Sequence, residues 1–488
     1  MDIDVPGEAL ISGRWVVGEG QPIAVENPAT GKIAGTLNAV SANQVDEAVK
    51  AARAAFPAWS ALAPASRAKL LRSAGDIIAA RAADMGRTMT IEQGKPLNEA
   101  RGEIEKLAQT FWFYAEEAVR VHGEVIPNDS TDYQSLVVRE PIGVVGAISP
   151  WNYPAELIGW KLAAALAAGC TIVIKPPELT PFTALVIGRC LTEAGVPDGV
   201  VSIVPGTGRS IGQALIEHPL VDKIAFTGSN AVGLHIQQSL KSVKRLSLEL
   251  GGNCPLIVTD SANLDAAVQG AARRSFRNMG QICIAINRIY VARKLYEPFL
   301  ERLGDAADKL VIANGLDNPA ADLGAMASSE PLEKTRRHLA DALKKGARLI
   351  AGGSAPQGEQ YAGGHFFRPT VVADCTPDTL VMSEETFGPL VGVAPFDNLA
   401  EAADLANASP NGLAAYVYTK HMDEMRFLTA RLDFGSVAVN NVDAGIINAP
   451  YGGRKQSGIG YEHGREGMLE YFNLKHIRIR YETPGGAE

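Results

Sequence analysis

Between residues 143 and 239 the chain alternates two periods. Short apolar, β-branched runs at 143–148, 171–174, 200–204 and 223–226 are each followed by a stretch of helical spacing, at 156–168, 181–194, 210–217 and 230–239, with Gly or Pro at the junctions. Apolar runs without polar alternation are buried on both faces, and parallel strands need crossovers long enough to be helices. The pattern predicts a parallel sheet covered on both sides, with right-handed connections. A second alternation begins at 255–258, with further strand candidates at 288–291, 348–351, 371–372, 391–395, 415–418 and 436–440. At 488 residues the chain exceeds a single core, so the expectation is an α/β protein with two doubly wound domains.

The flanks read differently. Residues 10–28 turn and alternate like a small hairpin region; 41–56, 64–92 and 97–121 are helical, the last with an aromatic face of Phe111, Trp112 and Tyr114. Val125-Ile126 and Leu136-Val137-Val138 flank a polar turn, which predicts a protruding hairpin. At the far end Ile477, Ile479 and Tyr481 alternate with His476, Arg478 and Arg480, a strand in need of a sheet edge.

A net charge of −8 with scattered acids gives no reason to expect nucleic acid or an anionic membrane as partner. Five widely spaced cysteines without zinc or redox spacing fit a reduced, cytoplasmic protein with no metal site. The start of the chain lacks a signal-peptide pattern. The most apolar segment, 157–174, contains Lys161 and is short for a membrane span; it reads as a buried helix entering a buried strand.

In a wound sheet, ligands bind beyond the carboxyl ends of the strands. Three such ends are suggestive. Lys175 and Glu178 can grip ribose hydroxyls. Gly206-Thr207-Gly208 with Gly212 has a glycine spacing that an ordinary turn also shows. Thr227-Gly228-Ser229, with Gly233 in the next helix, offers N–H groups and a hydroxyl to a pyrophosphate. Together they favour a nucleotide. Elsewhere a thiol follows a glycine in Phe276-Arg277-Asn278-Met279-Gly280-Gln281-Ile282-Cys283. A carboxylate ends a strand-like run in Glu249-Leu250-Gly251-Gly252, and an amide sits in the stiff turn Pro150-Trp151-Asn152-Tyr153-Pro154. Thiolate nucleophile, carboxylate base and amide donor are the parts for acyl chemistry at a carbonyl carbon.

These motifs, with Glu384-Glu385-Thr386-Phe387-Gly388-Pro389, occur in an order that resembles the NAD(P)-dependent aldehyde dehydrogenases. The resemblance spans nearly the whole chain. It implies an aldehyde dehydrogenase-like fold with a coenzyme domain (1–122 and 142–251), a catalytic domain (252–455) and a β-arm (123–141 and 471–488) that joins a homodimer or homotetramer. Cys283 is then the nucleophile, Asn152 and the Cys283 N–H the oxyanion hole, and Glu249 the base that hydrolyses a thioester. Lys161 and Glu462 stand where the family passes a proton outward, or where a structural ion pair would serve. The coenzyme site is expected to draw on Ser149, Pro150, Trp151, Lys175, Glu178, Gly208, Phe226, Gly228, Ser229, Gly233, Leu250, Glu385 and Phe387. A carboxylate at Glu178 accepts a ribose 2′-hydroxyl and repels a 2′-phosphate, so NAD is favoured over NADP.

The substrate is a small-molecule aldehyde. The segment from Thr90 to Leu97 and Asn253 resemble the succinate-semialdehyde dehydrogenase branch, which grips its substrate carboxylate with two arginines. Arg277 matches one; the other position holds Trp160, as in betaine-aldehyde, aminoaldehyde and general aldehyde enzymes. Tyr153 and Tyr451 would complete an aromatic wall, and Arg277 would favour a small semialdehyde or other anionic or hydroxylated aldehyde, unless it only makes a salt bridge at the tunnel wall. A CoA-acylating enzyme typically lacks the carboxylate base, so Glu249 argues against it. Intact Cys283, Glu249 and Asn152 argue against a non-catalytic protein.

Overall fold

The computed structural model describes residues 3–481. Both alternations fold as wound sheets. The first sheet runs, edge to edge, Arg14–Val16, Ala9–Ile11, Val201–Ile203, Thr171–Lys175, Val144–Ile148, Lys223–Thr227, Arg245–Glu249 and Gly458–Ile459. Its five central strands are parallel. Of these five, Val144–Ile148 comes first in the chain and lies in the middle: the chain winds outward through 171–175 to 201–203, then returns to the other side at 223–227. That reversal leaves a crevice beyond the carboxyl ends of the middle strands, the usual ligand position in such sheets. The residues that follow these ends are Ser149 to Asn152, the Lys175–Glu178 segment and Gly228-Ser229.

The second sheet runs Arg348–Ala351, Thr370–Ala373, Leu390–Phe396, Ile286–Ala292, Cys254–Val258, Ala414–Tyr418 and Ser436–Val439, parallel except at its first pair. Each sheet has its own apolar core. The 157–174 segment is the expected buried helix, Glu156–Ala168, turning at Gly169 (φ +95°) into Thr171–Lys175. No helix among the described residues is long and apolar enough to cross a membrane.

The hairpin expected near residue 130 pairs Glu124–Ile126 with Tyr133–Pro141. The last strand, Phe472–Arg480, finds its edge there and pairs antiparallel from Phe472↔Pro141 to Arg480↔Tyr133. Of the arm expected at 471–488, residues 482–488 lie outside the described residues, as do Met1 and Asp2 of the first expected domain.

One local expectation changes. Pro22–Asn27 pairs with Lys32–Asn38, a strand the sequence reading passed over. Gly35 interrupts the apolar run there, because a Cβ would stand 2.8 Å from the Phe182 ring. The helices expected over 64–92 are Pro64–Ala80 and Ala82–Gln93. The helix Ala42–Ala61 starts as its sequence requires: Ser41 Oγ accepts from Gln44 N at 3.2 Å and Gln44 Oε1 accepts from Ser41 N at 2.9 Å.

Candidate active site

The helix Leu264–Phe276 ends at Arg277, and the chain then takes Asn278 and Met279 through left-handed conformations (φ +49° and +58°) before Gly280 at +69°. A Cβ at Gly280 would lie 2.2 Å from the Gly388 carbonyl oxygen, so only glycine fits. Strained residues persist where neighbours over-determine them, and here they do. Asn278 Oδ1 accepts from Gln93 Nε2 at 3.1 Å, its Nδ2 donates to the Asn152 carbonyl at 2.9 Å, and Gln281 Nε2 donates to the Asn278 carbonyl at 3.0 Å. The turn delivers Cys283 to the junction of two cavities, of about 490 Å³ and 230 Å³; Asn152, Leu157 and Cys283 line both.

The Asn152 turn is stitched to this loop. Asn152 Nδ2 donates to the Gln281 carbonyl at 3.0 Å, which leaves its second N–H, while Oδ1 is buried without a partner. Beneath it lies a fully buried pair that the sequence reading missed. Lys95 Nζ meets Glu103 Oε2 at 2.5 Å, donates to the Asn152 carbonyl at 3.0 Å and sits 3.8 Å from the Tyr153 ring centre. Glu103 Oε1 accepts from Ala155 N at 2.8 Å and Glu156 N at 3.2 Å, at the start of the helix. Lys95 falls in a stretch used only for the branch resemblance, and Glu103 looks like any helical surface acid.

The Cys283 sulfur lies 3.0 Å from the Tyr451 hydroxyl. Burial pushes its pKa up to about 12; Tyr451 opposes this, and Glu385 and Glu249 add to it. The resting group is therefore a thiol, where the sequence reading took a thiolate.

The larger cavity contains all four residues expected at the substrate: Tyr153, Trp160, Arg277 and Tyr451. Trp160 and Tyr451 pack at 5.5 Å between ring centres. His463, not anticipated, joins them at 4.0 Å from Trp160 and 5.4 Å from Tyr451. Its Nδ1 bonds the Ile446 carbonyl at 3.1 Å, and burial lowers its pKa to about 3, so the ring is neutral. Its position directly after Glu462 was the available signal. Arg277 faces the cavity but is also paired: its Nε donates to Glu99 Oε1 at 2.9 Å, which accepts from the Tyr153 hydroxyl at 3.2 Å.

Glu249 closes the strand Arg245–Glu249 and lines neither cavity. It is 3% exposed, and both carboxylate oxygens lack partners. Burial, then Glu462, raises its pKa well above the usual range; Lys161 opposes this. Lys161 Nζ is itself buried, 2.6 Å from Glu462 Oε1 and 2.5 Å from Thr227 Oγ1. The expected Lys161 and Glu462 are thus an ion pair beside a lone carboxylate.

The smaller cavity is lined by Pro150, Trp151, Gly228, Ser229, Leu250, Glu385 and Phe387 of the expected coenzyme set, with Glu330, Pro331 and Lys334 unanticipated. Trp151 and Phe387 meet edge to face at 5.5 Å. Glu385 Oε1 accepts from Gly252 N at 2.9 Å, and burial raises its pKa to about 7. The remaining expected residues stand elsewhere. Phe226 and Gly233 are packing residues: a Cβ at Gly228 would meet the Phe226 ring at 2.4 Å, and one at Gly233 would meet Leu250 at 2.5 Å. Ser229 Oγ accepts from Val232 N at 3.4 Å and caps the helix Asn230–Ser239. Further along the strand ends, Glu178 Oε1 accepts from Gly208 N at 2.7 Å and lies 3.6 Å from Lys175 Nζ. Ser149 Oγ is buried there without a partner.

These features fit a dinucleotide. At Gly228 and Gly251 the backbone is tightly approached: a Cβ at Gly251 would meet Glu385 Oε2 at 2.7 Å and Asn230 Oδ1 at 2.8 Å. The buried hydroxyl of Ser149 and the half-exposed Glu178 carboxylate offer hydroxyl-binding chemistry.

A doubly wound fold with a thiol between an aromatic-walled cavity and a nucleotide crevice defines an oxidoreductase of carbonyl compounds. The chain belongs to the Aldehyde dehydrogenase family, whose profile matches residues 15–477. It is similar to the succinate-semialdehyde dehydrogenase [NADP(+)] GabD of Escherichia coli, at 42% identity covering 97% of each chain. It is also similar to the 3-sulfolactaldehyde dehydrogenase of Pseudomonas putida, at 43% identity over 96% of each. Among solved structures, betaine aldehyde dehydrogenase from Staphylococcus aureus in complex with NAD+ has 33% identity and a TM-score of 0.95 over 99% of this chain and 97% of the other.

Proposed function

We propose that the protein oxidises a short aldehyde with an anionic tail to its carboxylic acid, using NAD+. One observation carries this reading: Cys283 lies at the junction of two cavities, one holding Arg277 within aromatic walls and the other holding Glu385, Trp151 and Phe387. Succinate semialdehyde and 3-sulfolactaldehyde, in the relatives' names, both end in an anion.

Cys283 must lose its proton as it attacks the aldehyde carbon, because burial disfavours a standing thiolate. The free N–H of Asn152 and the Cys283 N–H receive the oxyanion of the thiohemiacetal; one such donor contributes about 3–4 kcal/mol in related acyl chemistry. Bound NAD+ supplies the hydride acceptor that turns the thiohemiacetal into a thioester. Pro150, Trp151, Gly228, Ser229, Leu250, Glu385 and Phe387 would hold its nicotinamide half, and Lys175, Glu178 and Gly208 its adenosine ribose. Glu249 then takes a proton from the attacking water. Its raised pKa makes it a strong base, and the Lys161–Glu462 pair would receive the proton in turn.

NAD is preferred because Glu178 accepts from Gly208 N and has carboxylate charge to repel a 2′-phosphate, in contrast to the NADP(+) in the GabD relative's name. In this reading residues 1–122 with 142–251 hold coenzyme, 252–455 catalyse, and the three-stranded arm joins copies into a dimer or tetramer in the cytoplasm. A betaine-aldehyde substrate would suit Trp160 and Tyr451 but meets the guanidinium of Arg277. The test is NADH formation from anionic, neutral and cationic aldehydes of equal length, with and without CoA. Anionic aldehydes should lead without CoA; dependence on CoA, or a lead for the cationic aldehyde, would refute the proposal.

A further inference from the structure

Arg274 has more donors than partners. It lies on the helix Leu264–Phe276, is 7% exposed, and lines the same cavity as Cys283 and Arg277. Its Nη2 makes a hydrogen bond of 3.3 Å to Asp443 Oδ1, and its Nε is buried with no partner. That carboxylate is shared, since Arg273 reaches Asp443 Oδ1 at 3.0 Å and Oδ2 at 3.5 Å. Arg277, one helical turn on, is better matched: Glu99 holds its Nε at 2.9 Å. The cavity wall carries Lys106, Arg273, Arg274 and Arg277 against Glu156 and Asp443, with Glu99 behind Arg277. Four cations against three anions leave one positive charge, and the pairing puts it at the Arg273–Arg274 corner. A guanidinium has five N–H donors in a planar fork suited to an oxyanion, and a buried one left under-bonded is costly.

We propose that Arg274 binds substrate: with Arg277 it holds the carboxylate or sulfonate at the far end of the aldehyde. This rests on the anionic-aldehyde reading above. Arg274 lies in the last turn of the helix and Arg277 just beyond its end, and both line the same cavity, so both guanidiniums can serve one ligand. An arriving oxyanion would give Arg274 the bonds that Asp443 divides with Arg273.

The test is the ratio of kcat/KM for a short ω-carboxy aldehyde over the neutral alkanal of equal length, with NAD+, in folded variants matched by thermal melting. Arg274→Leu should lower that ratio about ten-fold or more, the size of one charge-assisted hydrogen bond, and Arg274→Lys should restore part of it. Asp443→Asn separates binding from scaffolding. If Arg274 binds the tail, removing its competitor keeps or raises the ratio. If the pair only anchors the loop, Asp443→Asn and Arg274→Leu act alike and the inference is overturned. A wild type that prefers the anionic tail, losing the preference in Arg277→Leu but keeping it in Arg274→Leu, overturns the inference alone. A wild type indifferent to the tail overturns the anionic reading with it.

Discussion

The Tyr451 hydroxyl lies 3.0 Å from the Cys283 sulfur; Tyr451 is buried and Cys283 half-buried. A neutral phenol stabilises a thiolate, and here its hydrogen bond is the main effect lowering a pKa that burial has pushed to about 12. Tyr451→Phe should slow acylation about ten-fold, one hydrogen bond's worth. In the free enzyme, alkylation of Cys283 should keep rising about ten-fold per pH unit through pH 9, since the thiolate is the reactive form. A plateau below pH 9 would show a thiolate the account does not allow.

Glu249 acts only when ionised, and its pKa is raised by burial. Hydrolysis of the thioester should therefore rise with pH above the ordinary carboxylate range and level off once Glu249 is deprotonated. Glu249→Gln should remove that rise and slow steady-state turnover at least a hundred-fold, within the usual range for general base catalysis. Rapid-mixing absorbance at several pH values checks both. An unchanged profile in the variant excludes Glu249 as the base.

Glu178 stands between Gly208 N at 2.7 Å and Lys175 Nζ at 3.6 Å. Wild type should favour NAD+ over NADP+ in kcat/KM by about ten-fold or more, from like-charge repulsion of roughly one to a few kcal/mol at an exposed site. Glu178→Ser should narrow the gap, mainly by improving KM for NADP+. Steady-state kinetics with both cofactors decides it.

The Lys95–Glu103 pair is fully buried and supports the Asn152 turn. Removing one partner strands a buried charge, so Glu103→Ala should cost about 3–5 kcal/mol of stability. The urea midpoint should fall accordingly. Lys95→Met should in addition weaken catalysis, because the Asn152 carbonyl loses its 3.0 Å donor.

The wound sheets were legible because period and burial coincide: strands such as Val144–Ile148 and Thr171–Lys175 are buried throughout, have apolar centres and lie close to Gly or Pro at their ends. The thiol and the amide were legible from short motifs whose geometry is local, and the cavity-lining aromatics from the family resemblance. The strand Lys32–Asn38 was not, since Gly35 is dictated by Phe182, far along the chain. Lys95–Glu103, His463 and Arg274 were equally hidden. Their meaning comes from partners that only the fold supplies, such as Asn152, Trp160 and Asp443. The neutral state of Cys283 also needed the fold, because desolvation depends on what covers the sulfur.

The account turns on a covalent acyl-enzyme at Cys283. The most direct measurement is peptide mass spectrometry of Glu249→Gln after mixing with NAD+ and a short ω-carboxy aldehyde, with Cys283→Ala run in parallel. The predicted result is a mass increase equal to the acyl group on the peptide containing Cys283, and no NADH from Cys283→Ala. Acyl transfer to Cys170, Cys190, Cys254 or Cys375 instead, or sustained NADH formation by Cys283→Ala, would contradict it.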